Sequence, residues 1–142
     1  MDTSRDISIL YRKMHMNLNV LLDSLGLSSA KALFLSCIAE HEPMAQGEIC
    51  RVLDIDKSSV AKMLARLEKD GLVTKRGNPD DERSYLVELT GRAGELLPQA
   101  QALKDDWIER MTGNLTPLEK RVFFELLEKV SQNIKNMEFP SA

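Results

Sequence analysis

The feature that most constrains how this chain folds is a change of hydrophobic period at Gly71. Before Gly71 the apolar residues recur at helical spacing, whereas the segment 72–89 alternates apolar and polar residues with the period of a β-strand. The polar segment 77–81 divides that stretch into two strands, 72–76 and 84–89. We therefore predict a β-hairpin whose loop is longer than a two-residue turn, projects from the protein and moves.

Helical periodicity accounts for the rest of the chain. We predict six helices, over residues 3–25, 28–41, 45–53, 57–70, 90–111 and 116–137. Thr3 with Asp6 resembles a capping box at the start of the first helix, and Thr116 with Glu119 forms one at the start of the last. Gly26 is expected to end the first helix in the left-handed conformation. The predicted fold is mainly α with a small β-hairpin.

The first helix is longer than a small core needs. A helix of about 22 residues spans roughly 33 Å, and apolar residues follow one stripe of it from Ile7 to Leu25. Its length therefore predicts that another chain covers part of it.

The composition fits one soluble domain, or a small domain carrying an extension. The chain has 142 residues, 43% hydrophobic and 29% charged, with a formal net charge of −3. This charge argues against a uniformly basic nucleic-acid coat but leaves room for a locally basic surface. No apolar run approaches the roughly 18 residues that cross a bilayer, and the N-terminus lacks a signal-peptide core. We expect a cytoplasmic protein without membrane attachment.

Residue types suited to catalysis are scarce. The chain has two cysteines and two histidines, and no His, Cys, Asp or Glu cluster has the spacing of a catalytic or metal site. We expect no enzymatic activity, no cofactor and no metal.

The segment 45–89 has the order helix, turn, helix, hairpin, which is the layout of a winged helix-turn-helix. At about 100° per residue, one sector of the helix 57–69 is apolar and holds Val60, Met63, Leu64 and Leu67. The opposite sector is cationic and hydrogen-bonding, and it holds Ser58, Ser59, Lys62, Ala65, Arg66 and Lys69. Such a face can enter a major groove and reach base edges.

An ordinary amphipathic surface helix would show the same two faces, and the hairpin favours the DNA interpretation over it. Lys75, Arg76 and Arg83 flank the turn, where a wing would meet the DNA backbone or minor groove. The segment 45–92 carries nine basic and nine acidic residues. Segregation of charge, rather than excess, must therefore create the field that attracts DNA.

A family resemblance rests on two motifs. The run Asp81-Glu82-Arg83 followed by Ser84-Tyr85-Leu86-Val87-Glu88-Leu89-Thr90 resembles the Asp-x-Arg…Leu-Thr signature of the MarR family of bacterial transcription regulators. The run Leu67-Glu68-Lys69-Asp70-Gly71-Leu72-Val73 resembles the end of that family's recognition helix. The resemblance covers nearly the whole chain, including the long first and last helices.

The resemblance implies a homodimer and a set of DNA contacts. The first, fifth and sixth helices would interlock, and two winged domains would read the half-sites of a pseudo-palindrome in double-stranded DNA. Recognition-helix contacts would come from Ser58, Ser59, Lys62 and Arg66. Arg83 would enter the minor groove, and Asp81 would hold the wing by pairing with a basic group. Glu82 stands where relatives often have a second basic residue, which weakens the local potential at the wing.

The family's small aromatic or phenolic ligands bind between the dimerisation helices and the winged domain. Side chains whose helix positions suit such a pocket are Tyr11, His15, Leu18, Phe34 and Ile38. Packing of the core explains these five positions equally well.

Cys37 and Cys50 are expected to be buried small hydrophobes. Thiol-redox sensing is the alternative, although neither matches the near-N-terminal sensing cysteine of the peroxide-responsive branch.

The expected protein is a ligand-responsive, homodimeric repressor that binds a pseudo-palindromic operator. Its domains would be 1–27 and 91–142 for dimerisation and 28–90 for DNA binding. The alternatives are a winged-helix adaptor that binds a protein instead of DNA, and a thiol-redox-sensing regulator that uses Cys37 or Cys50.

Overall fold

The computed structural model describes residues 1–140 and confirms the mainly α fold with a small β-sheet. Its helices are α1 Thr3–Leu22, α2 Ser29–His41, α3 Gln46–Leu53, α4 Lys57–Lys69, α5 Gly91–Met111 and α6 Pro117–Asn136. The strands are β1 Met44–Ala45, β2 Val73–Asn78 and β3 Asp81–Leu89.

The chain divides into two compact units, Met1–Asp105 and a second unit that begins at Asp106. The first unit has an apolar core to which α1, α2, α3, α4 and the sheet all contribute. Its most deeply buried side chains include Leu22, Leu35, Ile38, Met44, Ile49, Val60, Leu64, Leu67, Leu72, Val73 and Val87. In the second unit Trp107 is buried, while α6 has no buried residue.

The helix ends follow local hydrogen-bonding rules, with one correction. The N-cap of α1 is Asp2, whose carboxylate accepts the Arg5 backbone N–H at 3.1 Å, so the predicted Thr3 cap is wrong by one residue. The chain continues from α1 through a 3₁₀ turn, Asp23–Leu25, to Gly26, which has the predicted left-handed conformation at φ +70°. The capping box of Thr116 and Glu119 is confirmed.

The sheet contains a strand that the sequence pattern did not predict. Its order is β1-β3-β2 and every pairing is antiparallel. Met44 in β1 lies opposite Val87 in β3, and the Glu42 carboxylate accepts the Leu89 backbone N–H at 2.8 Å. A two-residue strand shows no period, so only its pairing partner reveals it.

The tip of the hairpin is tighter than predicted. Asn78 pairs with Asp81, which leaves a two-residue turn in place of the predicted loop 77–81, and the strand register shifts at Gly77/Asn78. The Asn78 side chain closes the tip, because its amide group donates to the Ser84 hydroxyl at 2.9 Å and its oxygen accepts the Asp80 N–H at 3.0 Å. Hydrogen bonds from an Asn side chain to the backbone two residues on favour tight turns, and the prediction of a longer loop is wrong.

The predicted cap of α4 is confirmed. The Asp56 carboxylate accepts the Ser59 hydroxyl at 2.7 Å and the Ser59 backbone N–H at 2.9 Å. These bonds to Ser59 stabilise the charged form and hold the pKa of Asp56 below its usual value.

We expect the Asp56 cap to make stability depend on pH. Because the pKa is lowered in the folded state, the stabilisation is complete above the unfolded pKa of about 3.9 and is lost as the pH falls through the folded value. Asp56→Ala should lower the free energy of unfolding at neutral pH. Asp56→Asn should keep an acceptor for the cap but lose less stability on acidification than the wild type.

Urea unfolding followed by circular dichroism at neutral pH and near pH 3 measures both effects. The control is Asp106→Asn, which removes an exposed carboxylate from the interior of α5. An Asp56→Asn variant with the wild-type acid dependence would contradict the assignment.

Candidate nucleic-acid interface

The orientation of α4 is set by its apolar face. Val60, Leu64 and Leu67 are buried and Met63 is half-buried, and the helix contacts α3 and β2. The opposite face is exposed and holds Ser58, Ser59, Lys62, Ala65, Arg66 and Lys69. The structure therefore brings together on one surface the six residues that the sequence placed there.

The turn before α4 is fixed by backbone conformation and by a hydrogen bond from α3. Asp54 adopts a left-handed conformation at φ +54°, and the Gln46 side chain on α3 donates to the Lys57 carbonyl at 3.2 Å. Because the Ser59 hydroxyl donates to Asp56, only its lone pairs are left for a ligand. Ser58 is exposed, and within residues 1–140 its hydroxyl has no hydrogen-bond partner.

Ion pairs distinguish two groups among the basic residues. Lys75 lies 3.9 Å from Glu68, and Arg76 lies 2.8 Å from Glu88. No ion pair in the described part of the chain involves the other three predicted cationic contacts, which are Lys62, Arg66 and Arg83. Those three can meet a phosphate or a base edge without first losing a partner.

The wing separates two residues that the sequence placed side by side. Lys75 lies opposite Val87 and Arg76 lies opposite Leu86, so the two basic side chains project from opposite faces of the sheet. Lys75 and Arg83 line a cleft of about 560 Å³ between the wing, α3 and α4. The structure thus brings Lys75 and Arg83 together and places Arg76 on the other face.

Sequence reasoning missed several residues of that cleft. Its walls also include Gln46, Cys50, Lys57 and Tyr85. Tyr85 was recognised as part of the alternating strand and of the family motif, not as a site residue. The signal for Lys57 was its position at the first turn of α4. No local pattern shows that α3 and the wing face each other, because their proximity depends on pairing far along the chain.

Asp81 is held locally at the start of β3. Its carboxylate accepts the Arg83 backbone N–H at 2.9 Å. Within residues 1–140 it takes part in no ion pair. The contact shapes the backbone that presents Arg83, whereas the pairing of Asp81 with a basic side chain stays a prediction.

The predicted effector residues lie in two environments. Leu18, Phe34 and Ile38 are buried in the first unit. Tyr11 is 62% exposed, and its ring meets the ring of His15 edge-on with 4.5 Å between centroids. This arrangement fits an effector pocket and ordinary packing of the core equally well.

The two free cysteines differ in accessibility. Cys37 is buried, and its Sγ lies 3.9 Å from the Met44 sulfur. Burial raises the pKa of the Cys37 thiol, and the nearby negative charge of Glu40 raises it further. Cys50 is half-buried and lines the wing cleft. Because the thiolate is the reactive form, the environment of Cys37 suppresses reaction with oxidants and alkylating agents.

The described residues offer neither a metal centre nor a single membrane-spanning helix. Residues 1–140 contain no group of three or more His, Cys, Asp or Glu side chains that could hold a metal ion. No single helix among them has the length and apolar character to span a membrane, and only the pair Thr3–Leu25 and Ser29–His41, bent by 75°, meets those two criteria together.

The succession of α3, a turn, α4 and the β2–β3 hairpin defines a winged helix-turn-helix, a class of DNA-binding fold. A sequence profile of the MarR family matches residues 27–85. The multiple antibiotic resistance protein MarR of Escherichia coli is 32% identical over 127 residues, which cover 89% of this chain and 88% of that protein. The chain belongs to the MarR family of transcription regulators.

Solved structures agree over nearly the whole length. A MarR protein from Peptoclostridium difficile matches with a TM-score of 0.90 and 28% identity, over 96% of this chain and 89% of that one. A mutant MarR from E. coli, solved in complex with operator DNA, matches with a TM-score of 0.83 and 31% identity. That match covers 89% of this chain and 91% of the E. coli chain.

We expect the cysteines to react at different rates. With iodoacetamide at neutral pH, Cys50 should be alkylated faster than Cys37, because Cys37 is buried and its thiol pKa is raised. Mass spectrometry of the native protein over time measures both rates. Cys37→Ser and Cys50→Ser assign the signals, and unfolding in urea should remove most of the difference. Equal rates in the native protein would contradict the buried position of Cys37.

Proposed function

We propose that this protein is a sequence-specific DNA-binding transcription regulator that acts as a homodimeric, ligand-responsive repressor at a pseudo-palindromic operator. The observation that carries the proposal is the exposed face of α4, where Lys62 and Arg66 stand without ion-pair partners in the described chain, opposite a buried apolar face. The E. coli relative, which was solved in complex with operator DNA, supports DNA as the partner.

In the proposed complex, the exposed face of α4 lies in the major groove. Ser58, Lys62 and Arg66 reach base edges, where Lys and Arg favour the guanine acceptors. Ser59 contributes as an acceptor. Arg83 on the wing enters the adjacent minor groove, while Lys75 and Arg76 contact phosphates only after releasing Glu68 and Glu88.

Substitution of the unpaired cations should weaken operator binding. Arg66→Ala and Lys62→Ala remove proposed base contacts and should each lower affinity by about 1–3 kcal/mol, with relaxed sequence preference. Arg83→Ala should lower affinity and reduce the dependence on salt by about one phosphate equivalent. The measurement is fluorescence anisotropy with DNA selected by the wild-type protein, at several salt concentrations.

Two further variants sharpen this test. Lys129→Ala removes an exposed cation from the polar face of α6 and serves as the matched control. Glu88→Gln frees Arg76 and should steepen the salt dependence. Unchanged operator affinity in Arg66→Ala and Lys62→Ala would contradict the proposed contacts. A wild-type protein that binds no duplex DNA would favour the alternative of a protein-binding adaptor.

The proposed dimer rests on exposed apolar residues at both ends of the chain. Helix α1 along its length and α6 each present large apolar side chains to solvent. On α1 these are Ile7, Ile9, Leu10, Met16 and Val20, and on α6 they are Leu118, Val122, Leu126, Leu127, Val130 and Ile134. Burial of each such side chain is worth roughly 1.5–3 kcal/mol. We propose that a second copy of the chain covers them, with 1–27 and 91–142 as dimerisation segments and 28–90 as the DNA-binding domain.

A charge on the α6 stripe should separate the subunits. Val130 is 63% exposed in one chain, so Val130→Glu should leave the fold intact while placing an unpaired charge in the proposed interface. Sedimentation should show a dimer for the wild type and for Lys129→Ala, and a monomer for Val130→Glu with much weaker operator binding. A dimeric Val130→Glu variant, or a monomeric wild type, would contradict the proposed interface.

We propose that a small aromatic or phenolic effector binds beside Tyr11 and His15, over Leu18, Phe34 and Ile38, and lowers operator affinity. The exposed ring of Tyr11 supports this location. With phenol and benzoate as probes, Tyr11→Ala should lose the ligand response while keeping ligand-free operator affinity, and Tyr11→Phe should retain it. A full response in Tyr11→Ala, or none in the wild type, would argue against this site.

A further inference from the structure

Three elements of the first unit meet at the C-terminal end of the recognition helix. The Lys31 ammonium on α2 forms an ion pair with the Asp70 carboxylate at 2.8 Å. The Arg92 guanidinium on α5 donates to the Asp70 backbone carbonyl at 2.6 Å, and the Thr90 hydroxyl donates to the Gly71 carbonyl at 2.8 Å. We call Lys31, Asp70 and Arg92 the α4 joint.

The position of the joint adds a favourable interaction with the end of α4. A helix C-terminus carries partial negative charge on its last carbonyls, and two cations, Lys31 and Arg92, stand beside it. The side chains of Lys31 and Asp70 are 24% and 37% exposed, so their attraction is only partly screened by solvent. The backbone of Lys31 is itself anchored, since its N–H donates to the Ser28 hydroxyl at 3.1 Å.

Hydrogen bonds and ion pairs are directional, so they restrict the angle of α4 more closely than its apolar packing does. The buried contacts of Val60, Leu64 and Leu67 hold the helix against the core, but the hydrophobic effect has no preferred direction and permits small rotations and shifts. The Asp70 N–H donates to the Arg66 carbonyl at 2.9 Å, so the joint lies one turn from a proposed base contact. A rotation at the joint would displace Arg66 from its base edge.

We propose that Lys31, Asp70 and Arg92 are positioning residues that set the angle of α4 and thereby the discrimination between operator and other DNA. The proposal rests on the DNA-binding function proposed above. None of the three residues lies among the proposed DNA contacts. They act through Arg66 and Lys62, whose reach to base edges depends on helix angle, whereas contacts to the regular phosphate backbone tolerate a small rotation.

The test compares operator with random-sequence DNA. The operator probe is a duplex that the wild-type protein selects from a random pool. Lys31→Met and Asp70→Asn should each lower the ratio of the two affinities by roughly 5- to 10-fold, and the double variant should lower it no further, because the two side chains act as one pair. Lys31→Arg should retain the ratio. The slope of affinity against salt should stay constant, since no phosphate contact is removed.

The control is a second ion pair whose lysine has the same exposure. Lys120 on α6 pairs with Glu109, and the two side chains are 24% and 67% exposed. Lys120→Met therefore removes an ion-paired lysine of equal exposure outside the joint and should leave the affinity ratio unchanged. Thermal unfolding of every variant identifies a temperature at which all are folded. A purely stabilising role would lower the unfolding temperature without changing the ratio.

The outcomes separate the two proposals. Suppose that the wild type prefers the operator to random-sequence DNA. If the joint variants show the same preference, or if their affinities for the two DNAs fall by the same factor, the proposed role of the joint is wrong and the proposed function stands. If the effects of Lys31→Met and Asp70→Asn add, the two residues do not act as a pair and the proposal fails. A wild-type protein that selects no duplex would overturn the proposed function and the joint with it.

Discussion

Burial of one face of α4 is the constraint on which the interface depends. Val60, Leu64 and Leu67 are buried together, and their spacing of three and four residues determines which face of the helix lies against the core. The cations on the opposite face are therefore turned outward by an interaction that involves no charge. The wing packs against the same assembly through Val73 and Val87, which places Arg83 near the helix that it is proposed to assist.

Placement of charge outweighs total charge in this protein. The chain is acidic overall, and its winged segment is balanced between basic and acidic residues. Internal pairing sorts the cations further: Glu68 and Glu88 hold Lys75 and Arg76, while Lys62, Arg66 and Arg83 have no ion-pair partner among residues 1–140. A surface of this kind is suited to selective recognition, because few unpaired cations give weak attraction to phosphate alone.

The terminal segments behave differently from the winged segment. The winged segment buries its own apolar faces, whereas α6 has no buried residue and the N-terminal part of α1 is exposed. A single chain thus completes the DNA-reading part of the fold but leaves large apolar side chains of both terminal helices in water. In the proposed dimer a second copy buries these side chains, which explains why α1 is longer than the core of one chain requires.

The local elements of the fold could be read from the sequence because their causes are local. Helix periodicity, the left-handed Gly26, the Asp56 cap and the Thr116 capping box each depend on residues within about one turn of one another. The tertiary structure alone decided the pairing of β1 with β3, the two-residue turn at the wing tip, and the meeting of Lys31 with Asp70. Lys31 and Asp70 are 39 residues apart in sequence. Their contact follows from how the packed core folds the chain back on itself, and no periodicity within a single element encodes that distance.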